Sequence, residues 1–417
     1  MIGFMVCMGE LLREEDQSKW LNEVILQGIL QSCEEDGRTL PPVVLRGHQF
    51  AIEEHYERAK ELYPNLWTMN KHNGEALISY RTDERNRRLS EQFSSHITNI
   101  HLCSNLEPFT WGGVEFIRNT VAEIVRQGCV GVHVYPLRYW DWPNSSHVNA
   151  LGDQLDEHCI WWRAWGRYSW NFNREKSEEK SYWTFVLKKQ YGLDDLQSEL
   201  LYRIFDETSE ILPRLSQYFL LSSGNRQSLV LGQYLVTMAF NRTFYLDVGY
   251  SMSQLCGYEV IGERFWSPTL IDYIKNYITI CLDLLKEIDS LKHLPEIFTL
   301  MRKEINVLYL LLSFFKYKAI ACALYFQSLY GVPKVTERDA FRHLEKSVKK
   351  YRELSEETKL LFVDAGSVKH HRRIPFSAKM GFEHWKDCLL KFEEELLIAE
   401  VGGIKGLLRH YQSSVNK

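Results

Sequence analysis

The first 140 residues repeat one pattern of apolar and polar positions. A short apolar run ends in polar or charged residues, and an amphipathic stretch follows. The runs are IGFMVCMGE (2–10), PVVLRGH (42–48), LWTMNKHNG (66–74), ITNIHLCSNLEP (97–108) and VGVHVYPLRYWDW from Val130. Four are rich in Val, Ile or Leu and too short for helices, so the runs predict strands. The segments between them, Trp20 to Ser32, Glu53 to Leu62, Arg85 to Ser94 and Val114 to Arg126, carry helical spacing. Strand alternating with helix predicts a parallel sheet.

The repeat is about 30 residues, close to the eighth part of a typical (β/α)₈ barrel. The pattern therefore predicts an α/β region followed by an all-α region. The first is a partial (β/α)₈ TIM-type barrel of about five β/α units, strands 4–8, over residues 1–165. The competing reading is an open five-stranded sheet. After Trp161 strand signals nearly vanish. Helices are predicted over Glu178–Gln190, Asp195–Leu221, Arg226–Phe240, Pro268–Leu291, Pro295–Tyr330, Glu337–Val363 and Gly381–Ala399. They define an α-helical C-terminal domain, 166–417.

Polar residues collect at the predicted C-terminal end of every strand, the face where barrels and open sheets bind ligands. They are Glu10; Arg46 and His48; Lys71, Asn73 and Glu75; Asn105 and Glu107; Tyr135, Arg138 and Asp141. On a barrel, Glu10 and Glu107 would face one cavity. Two carboxylates flanking a sugar bond suffice for glycoside hydrolysis, one protonating the leaving oxygen and the other activating water or attacking. The bland alternative is a pair of strand-end carboxylates neutralised by Arg or Lys. Glu75 reads equally as an assisting base or as an exposed turn residue. Arg46, Lys71 and Arg138 suit capture of a substrate carboxylate, or charge balance in the barrel mouth. Seven of the twelve tryptophans fall between Trp140 and Trp183. Trp140, Trp142 and Trp161 could wall a sugar subsite. The helical spacing of Trp161, Trp165 and Tyr168 favours packing instead.

The remaining composition narrows the classes. Net charge is −4, with both signs spread along the chain, which argues against a nucleic-acid binder. Nine cysteines without a CxxC imply reduced thiols and a cytoplasmic setting. The apolar stretch from Ile305 to Phe326 contains Lys316 and Lys318, so it predicts a buried helix and no membrane partner. His48, His72, His101 and His133 lack HxH or HExxH spacing, and no metal or cofactor is expected.

Several segments resemble the α-glucuronidases of glycoside hydrolase family 67. GFMVCMGE, ending in Glu10, resembles the strand that delivers the family's general acid. KHNGEALISYR (71–81) resembles its lysine-asparagine-glycine strand, although Leu77 stands at the family's aspartate. HLCSNLEPFTWGG (101–113) resembles the strand that carries the water-activating glutamate, here Glu107, with Asn105-Leu106 replacing a glutamine. The segments from Val130 and WWRAWGRYSWNFN (161–173) resemble its last strand and the motif beyond. The resemblance implies an inverting hydrolase of an oligosaccharide with a terminal uronic acid, with acid and base about 6.5–9.5 Å apart. It implies Glu10 and Glu107 as catalytic, with Glu75 assisting; the strand-end positions add Arg46, His48, Lys71, Asn73, Asn105, Tyr135, Arg138, Trp140 and Asp141 as substrate-binding candidates. The alternative from the residues alone is an inactive carbohydrate-binding chain, or one that forms a homodimer through its helical domain.

Overall fold

The computed structural model describes residues 3–8, 12–47, 52–73, 77, 79–101, 106–138, 141–150, 152–219, 232, 235, 269–329, 331–366 and 384–415. By its internal contacts the chain divides into two compact units. The first comprises Met1–His101, Ile117–Tyr135 and Trp165–Asn173; the second comprises Leu102–Phe116, Pro136–Ala164 and Arg174–Lys417.

In the first unit five parallel strands form one sheet: β1 (Phe4–Val6), β2 (Val43–Arg46), β3 (Leu66–Lys71), β4 (His96–Ile100) and β5 (Gly131–Val134). Their spatial order is their chain order, β1-β2-β3-β4-β5. An open doubly wound sheet reverses direction at a switch point, whereas a barrel winds one way, and this sheet is a curled half-barrel. Register is set by alternation. Val43 and Leu45 are buried and Val44 and Arg46 are partly exposed, and β2 pairs with β3 from Val43↔Leu66 to Arg46↔Met69. A one-residue slip would turn Val43 and Leu45 out of the core.

The helices between the strands supply the other half of that core. Leu21, Leu26, Tyr56, Ala59, Leu89 and Phe93 pack with Val43, Leu45 and Leu66. Helix α1 (Glu14–Lys19) runs through a π-helical segment (Trp20–Leu26) into α2 (Gln27–Glu35); α3 is Ile52–Leu62, α4 Glu84–Gln92 and α5 Val114–Arg126. In α5, Val114, Ile117, Val121 and Ile124 are buried at three- and four-residue spacing, the stripe that its sequence predicts. Polar residues also enter the strands. Thr68 Oγ1 lies 2.8 Å from His96 Nδ1, and His96 Nε2 lies 2.9 Å from Asn86 Oδ1. Burial lowers the His96 pKa to about 4, so that imidazole is neutral. Phe4 and Met5 of β1 are each 50% exposed.

The second unit is mainly helical: α6 (Gln154–Glu157), the start of α7 (Cys159–Trp170), α8 (Lys176–Tyr191), α9 (Asp195–Thr208), α10 (Ile211–Phe219), α11 (Thr269–Asp289), α12 (Glu296–Leu329), α13 (Glu337–Lys359) and α14 (Trp385–Val415). The predicted helix over Asp195–Leu221 is interrupted between α9 and α10. The helix predicted over Arg226–Phe240 lies outside the described residues apart from positions 232 and 235. Helix α12 is long and apolar enough by composition to cross a membrane, but 72% of its apolar window is buried by the surrounding helices. It packs against α11 and α13. The polar group at its centre, Lys318, is fully buried and meets Glu395 of α14 at 2.5 Å.

Candidate active site

Glu107 follows β4 and is 2% exposed. The bond to Pro108 is cis, as is that between Trp142 and Pro143. Nearby in the same unit is the Arg138 guanidinium, also 2% exposed. It donates from Nη1 to Asp364 Oδ1 at 2.9 Å, and from Nη2 to Asp141. Its backbone is anchored by Gln154, whose Nε2 donates to the Arg138 carbonyl at 2.9 Å. Burial opposes the charge of Arg138, but Asp364, Glu107 and Asp141 together hold its pKa above the usual value. A permanent cation thus sits among three carboxylates. Two of them, Glu107 and Asp141, were foreseeable as strand-end residues. Asp364 was not, because it lies 226 residues from its partner.

The Glu107 loop is tied down by a buried polar network. His147 Nδ1 meets Glu157 Oε1 at 2.5 Å, and its Nε2 meets Glu304 Oε1 at 2.6 Å. Burial alone would depress the His147 pKa, but these two hydrogen bonds and their charges outweigh it and push the value up to about 9. Burial likewise raises Glu157, yet His147 and His158 bring it down to about 2. His158 itself is lowered to about 4 by burial, against the pull of Glu157. A cavity of about 410 Å³ opens beside this network, lined in part by Thr110, His147, Glu157, Asp156 and Glu296. No spacing along the chain pairs these residues.

These shifts have a stability consequence. Folding raises the His147 pKa, so its contribution is complete below about pH 6.5 and is lost as pH rises through about 9. Glu157 contributes above about 4.5 and fails as pH falls through about 2. His158 and His96 are depressed, so the unfolded chain takes up their protons first as pH falls from 6.5 towards 4. Stability is therefore expected to peak near pH 6.5. The fall between about pH 6.5 and 8.5, up to about 3 kcal/mol for a shift of this size, should vanish in His147→Gln, whereas a further fall at higher pH, from the buried Cys281 and Cys388 thiols that folding pushes up to about 12, should remain. Urea midpoints across the pH range test this, and an unchanged fall between about pH 6.5 and 8.5 in the variant would refute it.

In the first unit, Arg46 closes β2 and Lys71 closes β3. Arg46 Nε is buried with no hydrogen-bond partner among the described residues. Burial lowers the His133 pKa and the Arg46 charge lowers it further. Two strands separate them in the sheet order, so the curl brings the ends of β2 and β5 within electrostatic reach. Asn99 Nδ2 lies 2.8 Å from His133 Nδ1. The Tyr135 ring lies 4.8 Å from that of His101 and 5.1 Å from that of His133.

Asn73 serves the backbone. Its φ of 52° is left-handed, a conformation asparagine tolerates. Its N–H donates to Asp83 at 2.6 Å, and its side chain donates to the Ser79 carbonyl at 2.9 Å. Asp83 also caps α4, accepting from the N–H groups of Arg85 and Asn86. Trp161, Trp165 and Tyr168 are buried, as packing residues would be, and Trp111 meets Trp161 edge-on at 5.7 Å. Trp142 is 42% exposed. Glu10, His48, Glu75, Asn105 and Trp140 lie outside the described residues.

No family model and no curated protein matches the chain. Among solved structures, it is similar to a GH138 enzyme targeting pectin rhamnogalacturonan II. The TM-score is 0.85 and the sequence identity 28%, over 95% of this chain and 50% of that one. Over nearly all of its own length, the chain therefore resembles half of a glycoside hydrolase.

Proposed function

We propose that this chain works in the hydrolysis of an acidic plant polysaccharide, removing a terminal uronic acid by an inverting mechanism. The reading is carried by the likeness to a glycoside hydrolase across 95% of the chain. It is supported by the buried carboxyl of Glu107 beyond a parallel strand, where barrel enzymes place their chemistry. The finer assignment, to a chemistry like that of the family 67 α-glucuronidases, rests on the motifs around Glu10, Lys71 and Glu107.

Glu10 protonates the leaving glycosidic oxygen. Water attacks the anomeric carbon from the opposite face, and Glu107 takes its proton, assisted by Glu75. Arg46 and Lys71 are the cations for a substrate carboxylate. Arg138 already has its terminal nitrogens on Asp364 and Asp141, so its part is to keep a positive charge beside Glu107.

The test is release of reducing sugar from rhamnogalacturonan oligosaccharides and from the same material with its carboxyl groups reduced to alcohols. The acidic substrate is expected to be cleaved at least about 100-fold faster, since a site built for a polar group rejects its analogue strongly. Equal rates would sink the uronic-acid reading. Binding of both materials without turnover would favour the carbohydrate-binding alternative.

A further inference from the structure

The loop that carries Glu107 is gripped at two points, and both grips end on one imidazole. At the first, Ser146 Oγ lies 2.6 Å from the Pro108 carbonyl oxygen and 3.0 Å from Glu157 Oε1. At the second, the Thr110 N–H and hydroxyl donate to Glu304 at 3.0 and 2.9 Å. His147 stands between those two carboxylates, one on each ring nitrogen, with its side chain 2% exposed.

The same strand of chain fixes the neighbouring cation. His147 forms an antiparallel bridge with Phe362, the Val148 N–H donates to the Leu361 carbonyl at 3.0 Å, and the Val363 N–H donates to the Ser146 carbonyl at 2.9 Å. Asp364 comes next and holds Arg138. Residues on α6, on α12 and after α13 thus converge on the loop and on the arginine beside Glu107.

We propose that His147 is the positioning residue of this site: a buried imidazole that joins Glu157 and Glu304 through its two ring nitrogens and so holds the 107–110 loop in one conformation. The proposal rests on the reading of Glu107 as a reacting carboxylate. Three buried charges are a poor way to gain stability, since apolar side chains of similar volume commonly do as well. What they supply is direction. Each carboxylate has one geometry that satisfies the imidazole and the loop together, and a carboxylate that must meet a water molecule tolerates little displacement. A misplacement of about 1 Å can cost about 100-fold in rate.

The experiment compares the full chain with His147→Gln, using turnover of acidic rhamnogalacturonan oligosaccharides and hydrogen exchange at the Thr110 amide. The expected result is a fall in kcat of about 100-fold, KM within about twofold of the parent, and faster exchange at Thr110. An unchanged kcat overturns the proposal, as does a raised KM with kcat intact, which would place His147 on the substrate. If His147→Gln does not fold, Glu304→Gln is read the same way; it keeps an acceptor for Thr110 but removes the charge facing the imidazole. If the parent itself turns nothing over, the proposed function fails and exchange alone judges the clamp. Equal exchange at Thr110 in parent and variant then overturns it.

Discussion

Glu107→Gln is expected to lower kcat on acidic oligosaccharides by about 1000-fold, the middle of the range for losing a general acid or base. The amide matches the carboxylate in shape but cannot accept the proton of the attacking water. The fall should appear in kcat and kcat/KM together, as for an interaction made only in the transition state. The fold should survive, because Pro108 and Thr110 remain held by Ser146 and Glu304. Glu107→Gln leaves Arg138 with Asp364 and Asp141, so that guanidinium is not stranded. Steady-state kinetics alongside a urea melt of the variant check both halves. Turnover within tenfold of the parent, in a folded protein, would remove Glu107 from the chemistry.

The largest loss of stability is expected at the centre of the helical unit. Lys318 and Glu395 are both fully buried and meet at 2.5 Å, and Glu395 also accepts the Leu235 N–H at 2.6 Å. Lys318 lies 4.0 Å from the centre of the Phe392 ring and 4.8 Å from that of Phe314. Burial lowers its pKa, and Glu395 opposes that shift. Glu395→Ala strands an ammonium in an apolar interior and removes an acceptor from a buried N–H. A cost of roughly 3–5 kcal/mol is expected. Adding Lys318→Met to Glu395→Gln should recover most of it, since the amide still accepts from Leu235 while the charge is gone. Urea denaturation of the parent, the alanine variant and the double variant measures these differences. A cost below about 1 kcal/mol for Glu395→Ala would mean that water or another group reaches Lys318.

The strands and helices of the first unit could be read from the chain because their signals are local. Val43 and Leu45 alternate with Val44 and Arg46 in β2, and Val114, Ile117, Val121 and Ile124 repeat along α5. The strands themselves are shorter than their apolar runs. The run from Ile97 reaches Pro108, but β4 ends at Ile100. Pro108 itself is held by a loop contact, the Ser146 hydroxyl on its carbonyl oxygen, in place of ladder pairing. The ionic partners left no comparable trace. Thr110 and Glu304 are 194 residues apart, and Arg138 and Asp364 are 226 apart. Charged residues on separate elements share no period, so nothing in the pattern links them. Arg138 shows the effect well: a strand-end arginine reads as a ligand for substrate, yet beside the local Asp141 its second partner, Asp364, comes from a distant part of the chain.

By itself, the amino-acid pattern determined that residues 1–140 alternate strands with helices and that packed helices follow them, because periods of two and 3.6 residues record which side of each element must leave water. Only the tertiary structure decided that the strands wind in one direction and that His147, Glu157, Glu304 and Asp364 surround the Glu107 loop. Desolvation makes such charges choose partners in space, whatever their separation along the chain.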